Sequence, residues 1–227
     1  MKVLILVDIQ NDFCPGGALP VPEGDHVVPA ANTLMRSGAF DLVVATKDWH
    51  PANHISFADN HEGREVFQQI ELPSGAQTLW PRHCVQGTSG AELHPKLDTN
   101  RIDHIVTKGT SQSIDSYSGF FDNGHQQETD LRELLTREAT LRGIPFNEVR
   151  LSVCGLALDY CVAATARDAA RLGFKTDIIL DACRAVNISP GDDLRTFREL
   201  TTLGVGVVSS REILPERTPS RPVELRP

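Results

Sequence analysis

Six stretches of this chain are near-continuous apolar runs of strand length, and segments with helical spacing separate most of them. The runs are "KVLILVDI", "DLVVATKD", "HIVTKG", "EVRLSVCG", "KTDIILDA" and "VGVVSS". Unbroken apolar runs of this length mark strands buried on both faces, which antiparallel sheets with one wet face do not produce. Between them, "DHVVPAANTLMRSG", "ETDLRELLTREATLRG", "DYCVAATARDAARLG" and "DDLRTFRELTTLG" read as helices closing on glycine. In the third, Val162, Ala166, Ala169 and Ala170 share one face and Arg167 and Arg171 another. Alternating strands and helices join as right-handed crossovers. The chain is therefore expected to be α/β, a three-layer α/β/α fold with a six-stranded, mainly parallel, doubly wound sheet of order 3-2-1-4-5-6.

With 227 residues the chain is expected to form one domain, over 1–212, followed by a Pro- and Arg-rich tail over 213–227. One segment, about 49–100, has neither period. It holds Trp49, Trp80 and several histidines, and long irregular loops in compact domains are usually functional. A net charge of −8 without a basic run argues against nucleic acid. The first apolar run is broken by Asp8, too soon for a membrane span or a signal core, so no membrane association is expected. Five cysteines without framework spacing argue against a disulfide scaffold and for the cytoplasm.

Ligands of open α/β sheets sit beyond the carboxyl ends of the strands, where the strand order reverses. Strand 1 ends there in Asp8, strand 2 in Asp48 and strand 3 in Lys108, and strand 4 runs into the helix bearing Cys161. Free cysteine is commonly a small buried hydrophobe. Cys154, inside its strand, is read that way, and Cys14, Cys84 and Cys183 have no partners that argue otherwise. Cys161 differs, because a helix start and a nearby ammonium favour the nucleophilic thiolate. Asp8 on the neighbouring strand is placed to take the thiol proton.

A second group is "KDWHPANH" with "WPRHC". The spacing of Asp48 and His50 turns alternate side chains toward one ion, His83 returns from the irregular segment, and His54 stands nearby. Oxygen and imidazole ligands suit zinc, iron or manganese without separating them. His61, His94, His104 and His125 read as ordinary polar histidines.

Together with "LVDIQNDFCPGGAL", "DSYSGFFDNG" and "CGLALDYCVAATARDA", these motifs make the chain resemble the nicotinamidase (pyrazinamidase) branch of the isochorismatase-like cysteine hydrolases, from Met1 to about Ser210. The resemblance implies a catalytic triad of Asp8, Lys108 and Cys161. It implies an oxyanion hole from the backbone N–H groups of Ala157 and Cys161, beside a cis peptide between Leu156 and Ala157. It implies one divalent metal ion, zinc first and iron or manganese otherwise, held by Asp48, His50 and His83. His54 matches a histidine that ligates in some members and not in others. Phe13, Trp80, Tyr117 and Leu156 fall to the substrate pocket. Tyr160 stands where some members carry histidine. The implied reaction is hydrolysis of nicotinamide to nicotinate and ammonia through a cysteine thioester, in NAD salvage, with pyrazinamide as a further substrate. The small molecule is the expected partner, and monomer and homo-oligomer stay open. The alternatives are another amidase of the same fold, or a phosphate-receiving signalling domain with Asp8 as acceptor.

Overall fold

In a computed structural model, which describes residues 1–214, the six apolar runs become β1 (Lys2–Val7), β2 (Leu42–Asp48), β5 (His104–Lys108), β6 (Arg150–Leu156), β7 (Lys175–Arg184) and β8 (Gly206–Val208). They form one sheet of order β5-β2-β1-β6-β7-β8 with every neighbour parallel, the expected order. Every residue of β2 is buried, as is β1 from Val3 to Val7. That is why their sequences lack alternation: no face of these strands meets water.

Helices α1 (Val27–Arg36), α2 (Leu131–Leu141), α3 (Ala163–Arg171) and α4 (Asp192–Thr202) flank the sheet in three layers, and a short α5 (Ser210–Ile213) closes the described chain. Val162, Ala166 and Ala169 are buried and Arg171 is exposed, as the sequence spacing requires, while Ala170 and Arg167 are both half-buried. Ile213 and Leu214, the first two residues of the expected tail, pack against the core. The rest of the expected tail, residues 215–227, lies outside the described residues.

Besides short 3-10 turns, the irregular segment contains an antiparallel hairpin of β3 (Gln69–Leu72) and β4 (Gly75–Thr78). Each strand has four residues: β3 alternates polar and apolar for only that length, and the buried pair of β4, Gln77 and Thr78, is polar, so neither displays a clear period. Isolated bridges hold the segment to itself, His50 to Val85 and Phe57 to Trp80, and Leu93 bridges to Gln10 of the body.

The strand order reverses between β1 and β6, and there Val7 pairs with Gly155. Gly155 has φ +120°, and a Cβ on it would sit 2.1 Å from the Val7 carbonyl oxygen. Only glycine lets the two strand ends approach this closely. Beyond it comes the cis peptide between Leu156 and Ala157, then a π-helical turn, Leu158–Val162, that leads into α3. Cys161 lies in that first turn.

Candidate active site and metal cluster

Lys108 and Asp48 are register partners at the ends of β5 and β2. From there the lysine reaches across β2 toward β1 and β6. Its Nζ is 2.8 Å from Asp8 Oδ2, donates to Ser116 O at 2.9 Å and to Cys161 Sγ at 3.4 Å, and donates to Asp48 Oδ1. The four residues, expected from four separate chain segments, meet in a site that water hardly reaches; Asp8 is 0 % exposed, Lys108 1 % and Cys161 6 %.

Burial disfavours charge, yet three carboxylate and thiol groups surround one ammonium, so the outcome depends on partners. Burial alone would discharge Lys108, but Asp48 and Asp8 outweigh it and hold its pKa well above the usual lysine value. Asp8 moves the other way. Desolvation raises its carboxyl to about 6, even against the pull of Lys108. Cys161 departs from expectation. Its helix start and the nearby ammonium favour a thiolate, but desolvation wins and pushes the thiol well above its ordinary value. The resting nucleophile is a protonated thiol that needs a base, and an oxygen of Asp8 lies within 4.8 Å of its sulfur.

Asp8 stands at φ +48°, the left-handed region that aspartate tolerates better than most residues. Its backbone N–H donates to Thr46 Oγ1 at 3.3 Å, and the Thr46 hydroxyl donates to Asp8 Oδ1 at 2.5 Å. Gln10 clamps Asp48 by its backbone. Gln10 Nε2 donates to the Asp48 carbonyl and Oε1 accepts from its N–H, both at 2.8 Å. Both contacts were missed in the sequence. The signal was available in the alternation of strands, since Thr46 and Asp48 share one face of β2.

Asp48, His50 and His83 bring one donor atom each within 4.8 Å of one another, and all three are buried. The imidazoles are preset. His50 Nδ1 meets the Gly109 carbonyl at 2.8 Å, and His83 Nδ1 meets the Pro81 carbonyl at 2.7 Å. A carbonyl only accepts, so each Nδ1 carries a proton and each Nε2 is aimed at Asp48 Oδ2, at 3.5 and 4.0 Å. Burial lowers the pKa of His50, but the Asp48 carboxylate outweighs it and raises it. Burial keeps His83 near a pKa of about 4, hence neutral, as ligation demands. Two locked imidazoles and a carboxylate fit a divalent transition metal and leave coordination positions for a substrate.

His54 is held differently. Its Nδ1 meets the Ser56 hydroxyl at 2.7 Å, which can give or take a proton, and its buried Nε2 has no hydrogen-bond partner. It groups with His50 and Asp115 rather than with Asp48 and His83. His61 and His125 are occupied elsewhere, on the Ile55 carbonyl at 2.6 Å and on Asp168 at 3.1 Å.

A cavity of about 390 Å³, counted with its mouth, opens over Cys161 and the metal cluster. Phe13, Trp80 and Tyr117 line it, as expected, together with Tyr160, Leu19 and Val21. The Tyr117 hydroxyl accepts from Trp80 Nε1 at 3.0 Å and from Gln77 Nε2 at 3.2 Å, and Gln77 also donates to Asp115 at 3.0 Å. Leu156 does not line the cavity. It is fully buried, and its Cδ1 lies 3.5 Å from where a Gly24 Cβ would stand.

A thiol, a carboxylate and an ammonium buried at the switch point of a doubly wound sheet define a nucleophilic hydrolase of the α/β class. Residues 2–212 match the isochorismatase domain, and the chain belongs to that family. A curated relative, the nicotinamidase of Escherichia coli K12, is 47 % identical over 205 residues, 89 % of this chain and 92 % of the relative. The solved nicotinamidase/pyrazinamidase of Acinetobacter baumanii superposes with a TM-score of 0.85 at 43 % identity, covering 94 % of this chain and 98 % of that one. The pyrazinamidase of Pyrococcus horikoshii, solved in complex with zinc, does so with a TM-score of 0.69 at 39 % identity, covering 92 % of this chain and 98 % of that one.

Proposed function

We propose that this protein is a nicotinamidase, hydrolysing the carboxamide of nicotinamide to nicotinate and ammonia in NAD salvage, with pyrazinamide as a second substrate. One observation carries the reading: Lys108 Nζ contacts Asp8, Asp48 and Cys161 at the foot of an aromatic cavity whose wall includes Asp48, His50 and His83. The cavity suits a single flat ring with a short amide arm, and the nicotinamidase relatives support the substrate.

The chain's own residues supply the chemistry. Asp8, ionised above about pH 6, accepts the Cys161 proton as sulfur attacks the amide carbon. Lys108, held charged, steadies the negative charge that moves between carboxylate and sulfur. The backbone N–H groups of Ala157 and Cys161 receive the oxygen of the tetrahedral intermediate. Asp8 returns the proton to nitrogen, ammonia leaves, and water attacks the thioester with Asp8 again as base. Phe13 and Trp80 flank the ring and Tyr117 holds Trp80 in place.

Asp48, His50 and His83 would hold one divalent ion, zinc in the first instance, with iron or manganese admitted by the same ligand types. When bound, the ion supplies a Lewis-acid anchor for the ring nitrogen, a template role rather than water activation. His54 serves as a reserve ligand. Five unpaired cysteines support a reducing compartment, for which we take the cytoplasm, and no helix among the described residues is long and apolar enough to cross a membrane.

Ammonia release from nicotinamide, measured beside isochorismate and ureidoacrylate, tests the reading. Turnover of nicotinamide and pyrazinamide that vanishes in Cys161→Ala is expected. Preference for either of the other substrates would assign the chain to another branch of the family.

A further inference from the structure

The two oxygens of Asp8 have unlike surroundings, and the difference originates in Thr46. The Thr46 hydroxyl sits between the backbone and the side chain of one residue. Its oxygen receives the Asp8 N–H at 3.3 Å, so its single proton points the other way, to Asp8 Oδ1 at 2.5 Å. Oδ1 is thereby an acceptor already engaged. Oδ2 is not. An ammonium has three N–H groups, and those of Lys108 are matched by Asp48 Oδ1, the Ser116 carbonyl and Cys161 Sγ. Oδ2, fully buried, is met by no hydroxyl or backbone N–H and has only the Lys108 ammonium against it, 2.8 Å away.

We propose that Thr46 is the positioning residue of the proton transfer: it fixes Oδ1 as the anchored oxygen and leaves Oδ2 as the one that carries the proton between Cys161 and the leaving ammonia. The inference rests on the reading of Asp8 as the base. As the sulfur–carbon bond forms, the S–H bond breaks and its proton passes to Oδ2, while the carbonyl π electrons move to oxygen. As the carbon–nitrogen bond breaks, the proton on Oδ2 passes to nitrogen and ammonia departs. Water then adds to the thioester carbon, gives one proton to Oδ2, and that proton returns to sulfur when the carbon–sulfur bond breaks. Oδ1 takes no proton at any stage. Thr46 is fully buried and comes from β2, so the base is braced by the strand that two residues later presents Asp48.

The test compares metal-loaded Thr46→Val, Thr46→Ser and Asp8→Asn with the parent protein. Valine keeps the volume of threonine and removes the hydroxyl; serine keeps the hydroxyl. Thr46→Val is expected to lower kcat on nicotinamide by about 10- to 100-fold, the loss of one hydrogen bond to a charged group, with KM and metal content per chain unchanged. Thr46→Ser is expected to stay within about threefold of the parent. Equal losses in Val and Ser, a loss lying in KM or metal content, or a parent-like kcat in Val would each overturn the proposal. Should Val not fold, Thr46→Ala against Thr46→Ser makes the same comparison. Asp8→Asn separates the two levels: an active Asp8→Asn sinks the base assignment itself, whereas a dead Asp8→Asn beside a parent-like Thr46→Val sinks only the role of Thr46.

Discussion

The imidazole of His50 rests directly on Gly109, with Nδ1 2.8 Å from its carbonyl and with the space for a Cβ only 2.3 Å from Cε1. Gly109 follows Lys108, so adjacent backbone atoms set the ring that faces the metal cluster and the ammonium that faces the thiol. Gly109 also has φ +63°, which alanine adopts only with strain. Gly109→Ala should therefore displace His50. The expected result is substoichiometric metal and a fall in nicotinamide turnover of about 10²-fold, the cost of a misplaced carboxamide. Cys161 should still be alkylated by iodoacetamide. Full metal content in Gly109→Ala would show that the His50 ring tolerates the move.

The ligand histidines should separate by how they are held. His50→Ala and His83→Ala are expected to lose bound metal and most turnover, because each contributes an Nε2 whose direction a backbone carbonyl has fixed. His54→Ala should be milder, and His125→Ala, whose ring pairs with Asp168 away from the cavity, close to silent. Metal content per chain, turnover and alkylation rate on all four variants provide the check. Full activity in a metal-stripped protein would remove the anchoring role.

Two cysteines seven positions apart should behave as opposites. Cys161→Ala is expected to abolish amide hydrolysis. Cys154 is buried within β6 opposite Leu6, and Cys154→Ala should keep most turnover while costing stability on the order of 1 kcal/mol for the lost contacts. Comparable catalytic losses from both would mean that the nucleophile is misassigned. Turnover and a denaturant melt of each variant decide it.

The acid side of the pH profile should report Asp8. A base works only when ionised, and burial holds this carboxyl at about 6 in place of the ordinary value near 4. The value of kcat/KM for nicotinamide should therefore be level above pH 6 and fall about tenfold per unit below it. A limb centred near pH 4 would mean that Asp8 is far better solvated than its burial implies.

The central strands were legible because burial on both faces writes itself into sequence as unbroken apolar runs, whereas the edge strands β5 and β8, expected to be buried alike, expose Ile105 and Val207. The residues at the strand ends followed from topology, since the reversal between β1 and β6 gathers Asp8, Asp48, Lys108 and Cys161 at one edge. What stayed hidden has separate causes. The β3–β4 hairpin has strands of only four residues, so the alternation of "QIEL" is too brief to stand out, and the buried residues of "GAQT" are polar. Thr46 and Gln10 act through hydrogen bonds whose partners are distant in sequence; alternation places Thr46 on the face of Asp48 but names no partner for it. The protonation of Cys161 depends on how completely water is excluded, a property of the packed whole. Leu156 falls to the cavity only through the family resemblance, yet its side chain is fully buried and Ala157 lines the cavity instead.

The dispersal of the site along the chain bears on how the protein regains activity after denaturation. Positions 8, 48, 83, 108 and 161 become neighbours only when β5, β2, β1 and β6 are side by side, and every one of those pairings is parallel and distant in sequence. No hairpin or single crossover unit brings together both an acceptor for the thiol proton and a full ligand set. Helical signal and hydrophobic collapse can recover early in refolding, because they draw on local contacts, whereas distant parallel pairings form slowly. Catalysis, and the uptake of metal with it, is thus a property of the finished sheet: a stopped refolding mixture should show enzyme units lagging behind ellipticity, with no partly active species between.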